Sequence, residues 1–310
     1  MRAGLSALLI PDECGSRALD ETLADWREER ARAESAFARG GADLRALAGV
    51  MRVCAMTAGA GLVRADVWRC FAWTMIAGAS AAAAMAFVNT VHLTFAASEM
   101  LLLVPGGMVV FSAFAAAFGL GLPRSRRVPG LTLCALTFVT TAGLAGYIVP
   151  TANEVFRQQV FERLIDAETR WARPTHLVTG VPEQNAAELL RKIRIGSDGT
   201  GAARRALLQR LAWTLSPVAL LLLGAAIRAR FSETRPWRLV QVASGVLAVG
   251  IFVAAGGACT AIQDALSPPY AGGAPSLPWW CGIAVCLIVT LLLTRRSAVD
   301  AANLNGELGT

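Results

Sequence analysis

The chain has 310 residues, of which 55% are hydrophobic, and its mean hydropathy is +0.50. Its 29 basic and 22 acidic residues give a formal net charge of +7, and Lys192 is the only lysine. This composition excludes a pair of soluble domains, because the apolar segments leave little polar chain for a separate core. In so apolar a chain the basic balance reflects membrane topology and anionic headgroups, so membrane lipids are expected partners and nucleic acid is not.

Residues 1–66 are predicted to form a cytoplasmic helical prefix. Within them, residues 16–38 have an apolar stripe of helical period, and Glu and Arg alternate on the other faces. Gly40–Gly41 is expected to end this helix. Residues 43–69 are basic and amphipathic, which is typical of a helix that lies in the membrane interface before the first span. For residues 16–38, a solvated face on a small helical domain is an equally good interpretation.

Six strongly apolar stretches are predicted to be transmembrane helices. A segment needs about 20 apolar residues to cross the bilayer core, and in lipid it must be helical because no water satisfies its backbone. The stretches are Phe71–Leu93, Met100–Leu122, Pro129–Pro150, Ala212–Ile227, Trp237–Ile262 and Trp279–Leu293. The sequence therefore predicts an all-α, polytopic membrane protein, with spans 1–3 in residues 67–150 and spans 4–6 in residues 212–296. Gly106–Gly107 and Gly256–Gly257 indicate close helix packing, or alternatively flexible gate helices.

The insert between the two groups of spans, residues 151–211, is predicted to be small, extracytoplasmic and mostly helical. In order, we expect a helix over 151–173, an extended piece between Pro174 and Pro182, a helix over Glu183–Ile195, a turn over 198–201 and a run, Ala202–Leu211, into the fourth span. One short strand-like run cannot form a sheet. We therefore expect no β-domain in this insert.

The distribution of arginine orients the predicted spans. The short loops after spans 2 and 4 and the end of span 6 carry arginine, whereas the loops after spans 1 and 5 carry neither arginine nor lysine. Because positively charged short loops stay in the cytoplasm, both termini, including the tail at 297–310, are expected there. The chain is then expected to be a multi-pass membrane protein, and the family resemblance given below implies the bacterial inner membrane.

The sequence contains no arrangement typical of catalysis, a cofactor or a metal site. His92 and His176 are the only histidines and lie far apart, and no nucleotide-binding loop is present. The seven cysteines lack metal or redox spacing, but Cys259 and Cys281 are predicted near the same membrane face. A disulfide between those two is conceivable, and connectivity cannot be read from sequence. We expect a protein that is not an enzyme, and a permease for a bulky amphipathic lipid fits the almost uncharged spans.

Two stretches resemble the LptF/LptG permeases of lipopolysaccharide export, and the resemblance covers residues 70–296. In the first stretch, at the end of the third span, the matching residues are Pro150, Asn153 and Arg157. In the second, leading into the fourth span, they are Leu190, Arg194, Leu207, Arg210, Leu211, Pro217 and Gly224. The order of three helices, an insert and three helices also matches. Residues 1–66 are similar to the prefix domain found ahead of some bacterial permeases.

The resemblance implies a permease subunit that pairs with a second membrane protein and is driven by a separate cytoplasmic ABC-type ATPase. It also implies that four arginines near the outer face are candidate contacts for lipid phosphates: Arg157, Arg163, Arg170 and Arg173. The alternative for these arginines is solvated helix charge, because acidic residues lie between them.

The chain departs from that family at two places. Its insert is too short for the family's β-jellyroll, and the link Leu122–Pro129 holds two prolines where the family has a cytoplasmic coupling helix. A second hypothesis is therefore a non-transporting accessory subunit, which would stabilise a larger membrane complex on the same six-helix scaffold.

Overall fold

A computed structural model describes residues 13–92, 102, 104–118, 130–167, 184–196, 200–231, 237–266 and 276–307, and these ranges contain no strand. The helices in chain order are α1 (Glu13–Arg32), α2 (Ala36–Leu62), α3 (Ala65–His92), α4 (Val104–Phe118), α5 (Gly130–Gly143), a π-helix (Leu144–Ile148), α6 (Val149–Ala167), α7 (Ala186–Ile195), α8 (Thr200–Phe231), α9 (Trp237–Leu266) and α10 (Leu277–Glu307). The prediction of an all-helical chain is confirmed over these ranges.

Five helical stretches among the described residues are long and apolar enough to cross a membrane. They are Ala65–Val88, Gly130–Gln159, Thr200–Arg228, Leu239–Gln263 and Leu277–Thr294, at the positions of predicted spans 1, 3, 4, 5 and 6. In place of the second predicted span, Met100–Leu122, α4 has 15 residues and is about 22 Å long, which is shorter than the bilayer core. The remainder of that predicted span lies outside the described residues, so a sixth crossing stays a prediction.

The described residues divide into two compact units. The first contains those in 1–72, 121–136 and 291–310, and the second contains those in 73–120 and 137–290.

In the first unit, α1 and α2 form an antiparallel hairpin held by polar contacts. The Trp26 indole N–H donates a hydrogen bond to the Asp43 carboxylate at 2.7 Å, and the Arg45 guanidinium lies 3.1 Å from the Glu29 carboxylate. A Cβ on Gly49 would lie 2.7 Å from Thr22, so the two backbones approach closely at that level. The described part of the prefix therefore contains a helical hairpin, and both interpretations of residues 16–38 stay predictions.

The predicted end of the first helix, at Gly40–Gly41, is wrong. The chain breaks at residues 33–35 instead, because the Ser35 side chain caps α2 by accepting a hydrogen bond from the Ala38 N–H at 3.1 Å. The two glycines lie inside α2, where each lowers the stability of the helix by about 1 kcal/mol relative to alanine. The predicted segment 43–69 is likewise divided, because α2 ends at Leu62 and α3 begins at Ala65.

The second unit is built around α8, which packs against α4, α7 and α9. Of its apolar window 67% is buried, compared with 22% to 28% for α3, α9 and α10. Glycines set these close contacts: a Cβ on Gly224 would lie 2.2 Å from the Ala117 carbonyl oxygen, and one on Gly107 would lie 2.9 Å from Ala82. Small residues thus allow the helices to approach closely, as is usual between helices in lipid, where the hydrophobic effect does not drive their association.

Replacing Gly224 with alanine should destabilise the second unit. The new methyl group would overlap the Ala117 carbonyl oxygen of α4, and overpacking of this kind costs about 1–3 kcal/mol. Thermal unfolding of the full chain in detergent should show a clear loss for Gly224→Ala. The matched control is Gly250→Ala in α9, since a Cβ at Gly250 meets nothing within 4 Å. Equal melting temperatures for the two variants would contradict this packing.

Candidate functional site

The helix of the third predicted span does not end at Pro150. It widens into a π-helix over Leu144–Ile148 and then continues as α6 to Ala167. There the Val149 N–H donates to the Leu144 carbonyl, five residues back. Pro150 has no N–H to donate, so the widened turn lies where the α-helical hydrogen-bond pattern is already interrupted. π-Turns within helices are frequent at functional sites.

The π-helix contacts α7, a short helix that is fixed at both ends. A Cβ on Gly146 of the π-helix would lie 3.5 Å from the Ala186 side chain. At the start of α7, the Asn185 side chain accepts from the Glu188 N–H at 2.9 Å, and the Glu188 carboxylate accepts from the Asn185 N–H at 3.1 Å. Gly196 ends the helix with a φ of 69°, which glycine adopts without strain. This capping box confirms most of the helix predicted over 183–195.

Arg210 of α8 is a buried cation beside α7. Its side chain is 8% exposed, and the Glu188 carboxylate interacts with it electrostatically. A buried guanidinium requires such a partner, since an isolated buried charge is very costly. Glu188 thus has two roles, because it both caps α7 and faces the cation.

A second buried arginine, Arg228, lies 18 residues further along α8 and is 5% exposed. The separation corresponds to about 27 Å of helix, which is close to the thickness of the bilayer hydrocarbon core. No charged residue lies between the two arginines. They therefore mark the two ends of the apolar part of α8, and each is covered by protein.

Three aromatic side chains on α8, α9 and α10 pack together, and the first of them, Trp213, is close to Arg210 along the chain. The Trp213 and Trp279 rings lie 6.4 Å apart between centroids, and the Phe252 and Trp279 rings lie 5.6 Å apart, both in edge-to-face geometry. Trp213 follows Arg210 by three residues, so both lie on one side of α8. The indole N–H of Trp213 is buried and has no hydrogen-bond partner among the described residues.

The backbone of α8 is interrupted one turn further on, at Pro217. Its missing N–H would otherwise donate to the Trp213 carbonyl. The Ser216 hydroxyl donates to that carbonyl instead, at 3.0 Å. A hydroxyl of another helix also reaches this region, because Thr141 of α5 lies 3.3 Å from the Thr214 carbonyl. In a lipid environment such substitutes are needed, since no water is present to satisfy a freed carbonyl.

The family-motif residues have different surroundings. Pro150, Pro217 and Gly224 are buried within the helix packing, whereas Leu190 and Arg194 are exposed on α7. Asn153 is partly buried on α6.

Of the four predicted phosphate contacts, Arg157 is partly buried on α6. Arg163 lies in α6, but its side chain is not described. Arg170 and Arg173 lie outside the described residues. Among the family-motif positions the structure singles out Arg210. Glu188 and Trp213, which lie near it, were not predicted as site residues. The signal available was the capping-box spacing of Asn185 and Glu188.

Comparison with protein-family models, curated proteins and solved structures finds no match to this chain. The resemblance to the LptF/LptG permeases therefore stays a hypothesis based on the two sequence stretches. Among the described residues, no three His, Cys, Asp or Glu side chains lie together in a way that could hold a metal ion.

The Ser216 hydroxyl should matter only while residue 217 is proline. Ser216→Ala leaves the Trp213 carbonyl without its donor and should lower stability by about 1 kcal/mol or somewhat more. In Ser216→Ala with Pro217→Ala, the new N–H can donate to the same carbonyl, so the loss should largely disappear. Thermal unfolding of the two single variants and the double variant in detergent measures this coupling. Additive effects would show that the hydroxyl does not replace the missing N–H.

Proposed function

We propose that the chain is an LptF/LptG-like permease subunit that moves a lipid or lipopolysaccharide-like amphiphile out of the bacterial inner membrane. Both termini are then cytoplasmic, and the end of α8 that carries Arg210 faces outward. The observation that carries this proposal is the buried Arg210 beside Glu188 in a candidate membrane-spanning helix. An ionisable side chain within such a helix is by default a candidate for function.

The chemistry of the site suits an anionic headgroup. A guanidinium presents parallel N–H groups that match two oxygens of a phosphate or carboxylate. The Trp213 N–H, with no partner among the described residues, supplies a further donor three residues away. The apolar faces of Trp279 and Phe252 provide contact for the less polar part of an amphiphile.

The exposed apolar helix faces support a second membrane subunit as partner. Large hydrophobic side chains are exposed along three of the candidate spans: Ile76, Met85 and Phe87 on α3, Val242, Val246 and Val253 on α9, and Ile288, Leu291 and Leu292 on α10. In a membrane these faces contact lipid or another apolar helix surface. Because the sequence has no nucleotide-binding loop, the energy source would be a separate cytoplasmic ATPase. The family's coupling region corresponds to Leu122–Pro129, which lies outside the described residues.

An accessory, non-transporting subunit of a larger complex is the second candidate. It is favoured by the described parts of the insert, 151–167 and 184–196, which are helical. Residues 151–167 continue the third predicted span as part of α6. Such helices suit a packing role more than transfer of a lipid to a partner.

Two substitutions with opposite charge effects test the headgroup site. In Glu188→Gln the glutamine keeps the capping box, but Arg210 loses its counter-charge, so binding of an anionic lipid should become several-fold tighter. Arg210→Gln should weaken binding about tenfold or more, in line with the loss of charge-assisted hydrogen bonds. The measurement is the rise in melting temperature of the detergent-solubilised chain on titration with phosphatidylglycerol, with phosphatidylcholine as the neutral reference.

The control for general charge is Arg204→Gln, an exposed arginine on the same helix. The control for folding is the double variant Glu188→Gln with Arg210→Gln, which removes the buried cation together with the carboxylate that interacts with it and should melt near the unmodified chain. If Arg210→Gln and Arg204→Gln bind phosphatidylglycerol equally, Arg210 is not a headgroup site.

Purification of the chain from native membranes in mild detergent distinguishes the two candidate functions. A permease subunit should co-purify with an ABC-type ATPase and a second polytopic permease, which mass spectrometry would identify. Recovery of a stable membrane complex that lacks any ATPase would support the accessory role instead.

A further inference from the structure

Two cysteines meet between α9 and α10. The Cys281 thiol donates a hydrogen bond to the Cys259 sulfur, the sulfurs lie 2.8 Å apart, and both residues are partly exposed. The helices approach closely beside the pair. A Cβ on Gly256 would lie 3.2 Å from the Pro278 carbonyl oxygen, and one on Gly282 would lie 2.8 Å from an aromatic ring of α9. The two glycines therefore allow the backbone approach that brings the sulfurs into contact.

The pair can be reached from outside the bundle. A groove of about 490 Å³ is lined by both cysteines together with apolar side chains such as Ile262 and Leu277. Cys259 lies near the end of α9 and Cys281 near the start of α10, so both are close to the connection between these helices. Residues 263–294 contain no arginine or lysine, and the positive-inside rule therefore predicts that this end faces the extracytoplasmic side. Disulfides form and persist in that compartment.

We propose that Cys259 and Cys281 are an oxidative modification site, at which a disulfide joins α9 to α10. A covalent disulfide has a sulfur–sulfur distance of about 2.05 Å, so its formation from the observed contact requires a movement of less than about 1 Å. Two thiolates on one tetrahedral zinc ion would lie about 3.8 Å apart. The shorter contact favours a bond between the sulfurs over a shared metal.

The oxidant is a protein disulfide of the extracytoplasmic thiol–disulfide exchange class. One cysteine thiolate attacks that disulfide and forms a mixed disulfide, and the oxidant's second sulfur leaves as a thiolate. The other cysteine thiolate then attacks its partner cysteine's sulfur in the mixed disulfide, which forms the Cys259–Cys281 bond, breaks the bond to the oxidant and releases the oxidant's remaining sulfur as a thiolate. The two cysteine sulfurs lose two electrons, and the oxidant gains those electrons and two protons as it becomes a dithiol.

The bond would fix the aromatic packing next to it. Trp279 precedes Cys281 by two residues, and its ring packs 5.6 Å from that of Phe252 on α9. In the reduced chain this packing depends on non-covalent contacts alone. The disulfide would therefore hold the first turns of α10 against α9, independently of whether Arg210 binds a lipid.

The test is a count of free thiols in the full chain. Cells are quenched with a membrane-permeant alkylating reagent, the chain is purified without reductant, and proteolytic peptides are analysed by mass spectrometry. We expect Cys259 and Cys281 in one cross-linked peptide pair, two hydrogens lighter than the two free peptides and separable by reduction. In Cys259→Ser, Cys281 should become fully alkylated, whereas in Cys286→Ser, the matched control on α10, the cross-link should persist.

Several results would overturn this assignment. Full alkylation of both cysteines in quenched cells would show that the chain carries them as free thiols. Cross-linking of Cys281 to a different cysteine would show the wrong pairing. A membrane-impermeant maleimide added to the reduced pair reports its location. If the cysteines react only after the membrane is permeabilised, the sulfurs lie on the reducing side.

Discussion

The buried guanidinium of Arg210 is the constraint on which the second unit of this chain depends. A cation in a candidate membrane-spanning helix is stable only with an anion and donors or acceptors held around it. The Glu188 carboxylate interacts with it electrostatically, and its position is fixed because the same carboxylate closes the capping box of α7. Helix α7 in turn packs against the π-helix, where Gly146 leaves room for Ala186. The charge, the cap and the widened helical turn therefore form one connected arrangement.

The two proline interruptions near this arrangement each coincide with a local change in hydrogen bonding. At Pro217 the Ser216 hydroxyl donates to the Trp213 carbonyl, and at Pro150 the chain forms a π-turn just before the ring. In water such carbonyls would be solvated, but in lipid they need a partner from the protein. Interrupted helices are tolerated within a membrane where they are covered by protein, and α8 is the most deeply buried of the candidate spans. The Pro217 interruption thus lies in the most deeply buried of these helices.

The fold was predictable from sequence where one signal dominated. Hydropathy located five candidate spans, and the spacing of Asn185 and Glu188 is a readable start for α7. Prediction failed where local signals competed: Gly40–Gly41 looked like a helix end, but the Ser35 cap and the hairpin contacts moved the break to residues 33–35. It also failed where the outcome depends on tertiary contacts. The π-helix, the pairing of Glu188 with Arg210 and the meeting of Cys259 with Cys281 all require the helix register, which the sequence does not contain.

We propose that Arg210 is held inside the bundle to receive an anionic headgroup. A high-resolution structure of the full chain in phosphatidylglycerol nanodiscs would show the surroundings of the guanidinium. We expect headgroup density within hydrogen-bonding distance of Arg210 and the Trp213 indole nitrogen, with an acyl chain along Trp279. The proposal would be contradicted if the Arg210 guanidinium contacted only Glu188 and other protein groups, and lipid density were confined to the outer faces of α3, α9 and α10.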